Sequence, residues 1–220
     1  MSTILYNLAT RNRPEQLQRT LDNLRDHASV QAEGSYFYVL IKIDSDDEKT
    51  ISFAKEIKKC YEFPIRIEYI QPYGKIHAIN AGIDQVNLAW DILVNLSDDM
   101  VFTVAGFDGF IRKHCGPDSF VHFPDDYAAD KISTMSVIGR KYYQRDGYVY
   151  HNSYKSLWCD NEATEVAKMR GRYKYVPVYF IKHLHWANGM ASKDESYRKN
   201  DTYHDDMQVY YHRKEKNFGE

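Results

Sequence analysis

The chain has 220 residues, with 29 Lys plus Arg against 31 Asp plus Glu, a formal charge of −2 and 43% hydrophobic residues. That is enough chain to bury a full core, which excludes a small disulfide scaffold. The near balance of charge also excludes wholesale coating of nucleic acid, which needs a large cationic excess. Cys60, Cys115 and Cys159 are widely spaced and form no C-x-x-C pair. The first residues lack the charged and apolar regions of a leader, and nowhere do ~20 apolar residues run uninterrupted. The expectation is a soluble cytoplasmic protein without a membrane span. Nineteen Tyr, 10 Phe and 3 Trp make 15% of the chain aromatic, which is its oddest number.

The N-terminal half alternates strand-like and helix-like segments. Thr3–Ala9 reads as a buried strand, and Pro14 suits the first position of a helix whose stripe is Leu17, Leu21 and Leu24. Phe37–Ile43 is a second strand, followed by a helix with Ile51, Ala54 and Ile57 on one face. Ile65–Ile70 is a third, followed by a helix from Ile76 to about Val86, and Ile92–Leu96 is a fourth. This order predicts an α/β fold, with a mainly parallel central sheet flanked by helices. Beyond residue 104 the alternation loosens. It leaves a helix with Phe107, Phe110 and Ile111, apolar pieces at Phe120–Phe123 and Met135–Gly139, and a helix from Asn161 to about Arg170. A strand-like Tyr173–Leu184 and a tyrosine-rich helix over roughly Thr202–Lys216 complete the chain. With no linker or repeat, the reading is one domain over 1–220, a nucleotide-binding half (1–100) and an acceptor-binding half (101–220).

In such sheets ligands sit at the carboxyl ends of the strands, and here the loops at those ends are polar. Thr10–Arg13, Asp44–Asp47 and Ser97–Asp99 each follow a strand directly. Asp98 and Asp99 are placed to hold a divalent cation through oxygen, or to sit on a capped, solvated turn. His183 and His185 share one face of an extended segment, so either is a candidate nitrogen ligand or a hydrogen-bonded structural histidine. Asp160 is a good N-cap, and a carboxylate at a helix start beside a crevice is also placed to take a proton from a hydroxyl. Glu162 would orient it or grip the acceptor.

The succession Thr10-Arg11-Asn12-Arg13-Pro14-Glu15, Asp44-x-Asp46-Asp47, Gly74-Lys75-x-x-Ala78-x-Asn80-x-Gly82, Ser97-Asp98-Asp99, Asp160-x-Glu162, Arg170-Gly171, Val176-Pro177 and His185 spans nearly the whole chain. It resembles the GT-A glycosyltransferases, in particular those similar to glycosyltransferase family 2. The resemblance implies a single GT-A domain and a metal-dependent, inverting transfer of sugar from a nucleoside-diphosphate sugar, foremost a UDP-sugar, to an acceptor hydroxyl. It places Thr10, Arg11, Arg13, Asp44, Asp47, Lys75, Asn80 and Asp98 around the nucleotide. Asp99, with His185 or His183, would hold Mn²⁺ or Mg²⁺, and Asp160 with Glu162 would serve catalysis. Ser97 stands where the family has the first acid of its Asp-x-Asp motif.

Physically, cations such as Arg11 or Arg198 would neutralise the departing diphosphate, and the polar stretch Ala187–Asn200 is either a lid over the donor or a surface loop. The acceptor is open between a glycan, a protein side chain, a lipid headgroup and a modified nucleic-acid base. Arg140, Lys141 and Arg145 interleaved with Tyr142 and Tyr143, then Arg170, Arg172 and Lys174, would suit a polyanion or a solvated helix face. A sugar-phosphate nucleotidyltransferase is disfavoured because Thr10–Arg13 carries no glycine. A non-catalytic nucleotide-sugar-binding module stays open because of Ser97, and a metallohydrolase on His183 and His185 would need more ligands.

Overall fold

The computed structural model describes residues 2–29, 36–126, 128–184, 189–190 and 202–220. The four apolar runs of the N-terminal half form parallel strands: β1 (Ile4–Thr10), β2 (Phe37–Asp44), β3 (Ile65–Ile70) and β4 (Ile92–Leu96). β1 lies between β2 and β4, with Asn7 level with Leu40 and Asn95, so the strands end nearly flush and their loops emerge along one edge. The helices between them are α1 (Pro14–His27), α2 (Glu48–Ile57) and α3 (Lys75–Asn80). Short segments follow: β5 (Met100–Phe102), α4 (Phe107–His114), β6 (Phe120–His122), β7 (Val137–Gly139) and α5 (Arg140–Asp146). The chain ends with α6 (Cys159–Met169), β8 (Tyr173–Tyr175), β9 (Ile181–His183) and α7 (Tyr203–Lys214).

The main sheet runs β3-β2-β1-β4-β7-β6-β8. β7 is antiparallel to both β4 and β6, and β8 is parallel to β6. Alternation along the strands divides the core into two layers. Ile4, Tyr6, Leu8, Val39 and Ile41 pack with Leu17, Leu21 and Leu24 of α1 and Phe107 of α4. On the other face, Leu5, Leu40 and Leu93 pack with Ile76, Ile79, Tyr142, Tyr143, Ala167 and Tyr210. Gly139, where β7 turns into α5, is required by space: a Cβ there would lie 2.1 Å from the Gly116 carbonyl oxygen.

Three elements differ from the sequence reading. The helix expected from Ile76 to Val86 stops at Asn80, where Ala81 turns extended and Gly82 takes φ +74°, although Ile83 and Val86 are still buried. Tyr173–Leu184 is not one strand but two in different sheets. Pro177, which has no N–H for a ladder, falls between β8 and β9, and β9 pairs antiparallel with β5. Asp160 is not an N-cap: Trp158 holds that position with φ 62°, and Asp160 lies inside the first turn of α6.

The face carrying α3 includes one buried cation. Lys42 is fully enclosed, and its Nζ donates to the Ile79 carbonyl at 2.5 Å. Burial drives its ammonium well below the ordinary lysine value. A base with a depressed folded-state pKa binds more protons when unfolded, so stability rises with pH up to the unfolded value of ~10.4. Asn7 Nδ2 bonds the same carbonyl at 2.9 Å, so the oxygen keeps a donor without Lys42. Lys42→Met is therefore expected to raise the thermal midpoint at pH 7, by about 2–4 °C for each 1 kcal/mol recovered. It should also flatten the rise of stability between pH 7 and 10; calorimetry across that range checks both.

Candidate active site at the carboxyl edge of the sheet

β1 and β4 end in residues that bind each other. Thr10 and Asp98 project to the same face, and the Thr10 hydroxyl donates to Asp98 Oδ2 at 2.8 Å. Arg13 Nη1 donates to Asp98 Oδ1 at 2.9 Å, and Arg19 of α1 reaches the Asp98 carbonyl at 2.8 Å. Burial, with Asp99 next door, lifts the Asp98 carboxyl above its ordinary range, against the pull of Arg13 and Thr10. The three predicted nucleotide residues Thr10, Arg13 and Asp98 thus form one buried knot.

At the end of β2, Arg11 bridges Asp44 and Asp46, with Nη2 2.8 Å from Asp46 Oδ2. Burial raises the Asp44 carboxyl and Arg11 pulls it back. Asp47, expected at the nucleotide, is 2% exposed and has a structural task. Its Oδ1 caps α2 through the Thr50 N–H at 3.0 Å, and its Oδ2 accepts the Asn12 N–H at 2.6 Å. Asn80 is likewise a latch. Its Oδ1 accepts the N–H groups of Val149 and Tyr150 at 3.0 and 3.2 Å, and its Nδ2 donates to the Tyr150 carbonyl at 2.7 Å and to Asn152 at 2.8 Å.

The small β5–β9 sheet brings the metal candidates together. Met100 pairs with His183, and the Leu184 N–H reaches the Asp99 carbonyl at 2.7 Å. His183 Nε2 lies 3.3 Å from Asp99 Oδ1, and His183 Nδ1 lies 3.2 Å from Asp125 Oδ2. Burial alone would lower the imidazole, but Asp125 and Asp99 outweigh it and raise it to about 9. Asp125 also accepts the Ala128 N–H at 2.6 Å and the Thr134 hydroxyl at 2.7 Å. Burial opposes these bonds, yet they hold its carboxyl at about 2. His185 and the stretch Ala187–Asn200, apart from Gly189 and Met190, lie outside the described residues.

Asp160 joins this cluster from α6. Burial raises its carboxyl, while Lys75 at the start of α3, the Asn161 N–H and His183 act in the opposite sense, so the charges of Lys75 and His183 both reach it. The Asn161 N–H donates to its Oδ1 at 3.0 Å. The left-handed Trp158 just before it is a strained conformation for a bulky residue, of the kind that gathers at functional sites. Glu162 is not brought to the cluster. Its oxygens accept from Arg213 of α7 at 2.7 and 2.9 Å and from the Tyr154 hydroxyl at 2.7 Å, tying α6 to α7.

Asp125 went unread in the sequence. It follows β6 as the other acids follow β2 and β4, so the strand-end pattern held the signal. Of the basic cluster read as suited to a polyanion or a solvated helix face, Arg140, Lys141, Arg145, Arg172 and Lys174 are exposed, while the aromatic residues between them are not. Tyr142 and Tyr143 are buried, Arg145 pairs with Asp118, and Arg170 pairs with Asp146 and Glu220.

Among the described residues, no three His, Cys, Asp or Glu side chains already stand as a closed metal cage. Asp99 and His183 nonetheless make a facing oxygen and nitrogen donor pair. That fits Mn²⁺ or Mg²⁺ in the mode where one or two side chains and substrate phosphates complete the shell.

Parallel strands in the order β3-β2-β1-β4, antiparallel β7 beside them, and a small second sheet joining the acid after β4 to a late histidine define a GT-A fold. Solved structures bear this out. The chain is similar to the mannosyltransferase PcManGT from Pyrobaculum calidifontis in complex with GDP-Man and Mn²⁺, at TM-score 0.66 and 14% identity over 81% of this chain and 56% of that one. It is similar to S. aureus TarS in complex with UDP-GlcNAc, at TM-score 0.60 and 11% identity over 83% of this chain and 58% of that one. It is also similar to a mutant Drosophila β1,4-galactosyltransferase 7 with manganese, UDP-Gal and xylobiose, at TM-score 0.58 and 12% identity over 92% of this chain and 75% of that one. The chain thus spans little more than half of the first two. No protein-family model and no curated protein matches it. No helix among the described residues is long and apolar enough to cross a membrane.

Because Glu162 ties α6 to α7 and does not face the cluster, Glu162→Gln is expected to cost stability, about 1–3 kcal/mol for the partner groups it strands. Denaturant unfolding reads this loss. The pH profile of any activity measured on the folded fraction should not move.

Proposed function

We propose that this chain is a metal-dependent, inverting glycosyltransferase that moves a sugar from a nucleoside-diphosphate sugar, foremost a UDP-sugar, to an acceptor hydroxyl in the cytoplasm. One observation carries the reading. At the sheet edge Asp99 and His183 face each other, and the charges of His183 and Lys75 both reach the raised carboxyl of Asp160. The similar structures support it, since their bound ligands are GDP-Man or UDP-sugars with Mn²⁺ in two of the three cases.

In this reading residues 1–100 bind the nucleotide, with Arg11, Asp44 and Asp46 at the ends of β1 and β2, and residues 101–220 receive the acceptor. A divalent ion held by Asp99 and His183 would supply positive charge to the diphosphate. Asp160 takes the proton of the acceptor hydroxyl as that oxygen bonds to the anomeric carbon. The bond from that carbon to the diphosphate breaks with its electron pair, and Lys75 is placed to balance the gathering charge. Attack opposite the leaving group inverts the anomeric centre. A carboxyl lifted by burial is a stronger proton acceptor than an exposed one, which suits the role. The acceptor is a hydroxyl on a glycan, protein, lipid headgroup or modified base.

The test is to incubate the protein with a panel of nucleotide sugars and Mn²⁺ or Mg²⁺ and follow nucleoside diphosphate release. Asp160→Asn is expected to lower turnover by about 10²–10⁴-fold, and Asp99→Asn to abolish dependence on the ion. Release that persists unchanged in Asp99→Asn overturns the metal assignment, and pyrophosphate in place of nucleoside diphosphate favours a nucleotidyltransferase. The rate should fall on the acid side through a pKa above the ordinary aspartate range, because only the ionised base accepts a proton.

A further inference from the structure

β6 runs parallel to β4, since both are antiparallel to β7, so the turn Pro124-Asp125-Asp126 emerges at the same edge as Ser97–Asp99. Its two acids converge on one histidine. Asp126 Oδ1 accepts the backbone N–H of His183 at 2.8 Å, and Asp125 Oδ2 lies 3.2 Å from the ring Nδ1. Asp125 is itself fixed, 2% exposed, by the Ala128 N–H at 2.6 Å and the Thr134 hydroxyl at 2.7 Å.

Both ring nitrogens face carboxylates, which can only accept: Nδ1 keeps its proton on Asp125, and Nε2, 3.3 Å from Asp99 Oδ1, is the nitrogen whose proton a cation beside Asp99 would displace. We propose that Asp125 is a positioning residue that sets the tautomer and ring orientation of His183 for binding a divalent cation beside Asp99. A histidine that offers one nitrogen to a metal commonly donates its other N–H to such a carboxylate, which fixes the ring and increases its basicity. The backbone bond to Asp126 holds the histidine's Cα while the bond to Asp125 holds the ring, so both ends of the side chain are set before any ion arrives.

This inference rests on the metal reading made under Proposed function, and the experiment separates the two. The full chain is titrated with Mn²⁺, first alone and then with saturating UDP, by calorimetry or by paramagnetic resonance of the free ion, and folding of each variant is verified by thermal melting. Asp125→Asn is expected to weaken Mn²⁺ binding about 10–100-fold. Thr134→Val, which leaves the carboxylate and removes only one of its anchors, should weaken it in the same direction and less. Asp126→Asn, whose amide oxygen can still accept the His183 N–H, should leave affinity within about twofold.

In the Mg²⁺-loaded protein, nitrogen-resolved NMR of His183 should show the proton on Nδ1 in the wild type and a mixed tautomer in Asp125→Asn. If the wild type binds no Mn²⁺ either alone or with UDP, the metal reading and this inference both fall. If the wild type binds and folded Asp125→Asn binds equally well, the inference alone falls. Equal losses in Asp126→Asn and Asp125→Asn would also overturn it, since the general acidity of the turn and not the ring bond would then be responsible. Should Asp125→Asn fail to fold, an unchanged affinity in Thr134→Val overturns it.

Discussion

Two adjacent buried carboxylates, Asp98 and Asp99, occupy the turn after β4, and the site depends on the different partners each one finds. Asp98 meets Thr10 at the end of β1, where a buried carboxylate is tolerable only with donors close by. Thr10, Arg13 and, through the backbone, Arg19 supply them. These contacts join the end of β1, the start of α1 and the end of β4. Asp99, next along the turn, meets His183, which the β5–β9 pairing sets against it. One buried carboxylate thus ties the mouth of the sheet together while its neighbour faces the histidine of the second sheet.

The same logic separates what could be read in the amino-acid order from what could not. Ile92–Leu96 was legible to the residue because a buried parallel strand is an apolar run closed by polar loops, and Ile65–Ile70 because Ile alternates with polar residues along an edge strand. The loop acids were legible as a group for the same reason. Their individual tasks were not, because those are set by partners far along the chain. Asp47 receives Asn12 from 35 residues away, Asn80 grips Asn152 across 72, and Glu162 meets Arg213 across 51. Asp125 escaped notice because its significance lies in His183, 58 residues on. A carboxylate that caps, one that ties helices and one that faces a ligand are alike in sequence, and only the location of the donors tells them apart.

Tyrosine abundance follows a similar division. Tyr142, Tyr143, Tyr150, Tyr154 and Tyr210 are buried, and most of their hydroxyls are engaged: Tyr154 with Glu162, Tyr210 with Glu165, Tyr143 with the Gly147 carbonyl and Tyr150 with Ser136. Helices α5 to α7 are short and carry many charges, so large rings with a polar tip fill the layer between them while satisfying acids that would otherwise be stranded. Tyr203 and Tyr211 remain about half exposed against Trp158, just before the strained start of α6. The surplus is thus mainly a packing material of the C-terminal half, with a small exposed remainder beside Asp160.

The position of Lys75 relative to Asp160 has its own mechanical basis. α3 has only six residues, ~9 Å at the usual rise, too short to be stable alone. Its last turn is clamped from two sides. Lys42 and Asn7 hold the Ile79 carbonyl from the sheet, and Asn80 is bonded into residues 149–152 from the opposite side. Asn7 also donates to Asn95 on β4 at 3.0 Å, so the clamp shares a polar layer with the strand that carries Asp98 and Asp99. With its end fixed, a helix this short has little freedom left at its start, where Lys75 stands. A buried amine and two asparagines in an otherwise apolar face are costly to desolvate. Their placement is physically sensible because they convert the rigidity of the central strands into a defined location for a cation at the mouth of the site.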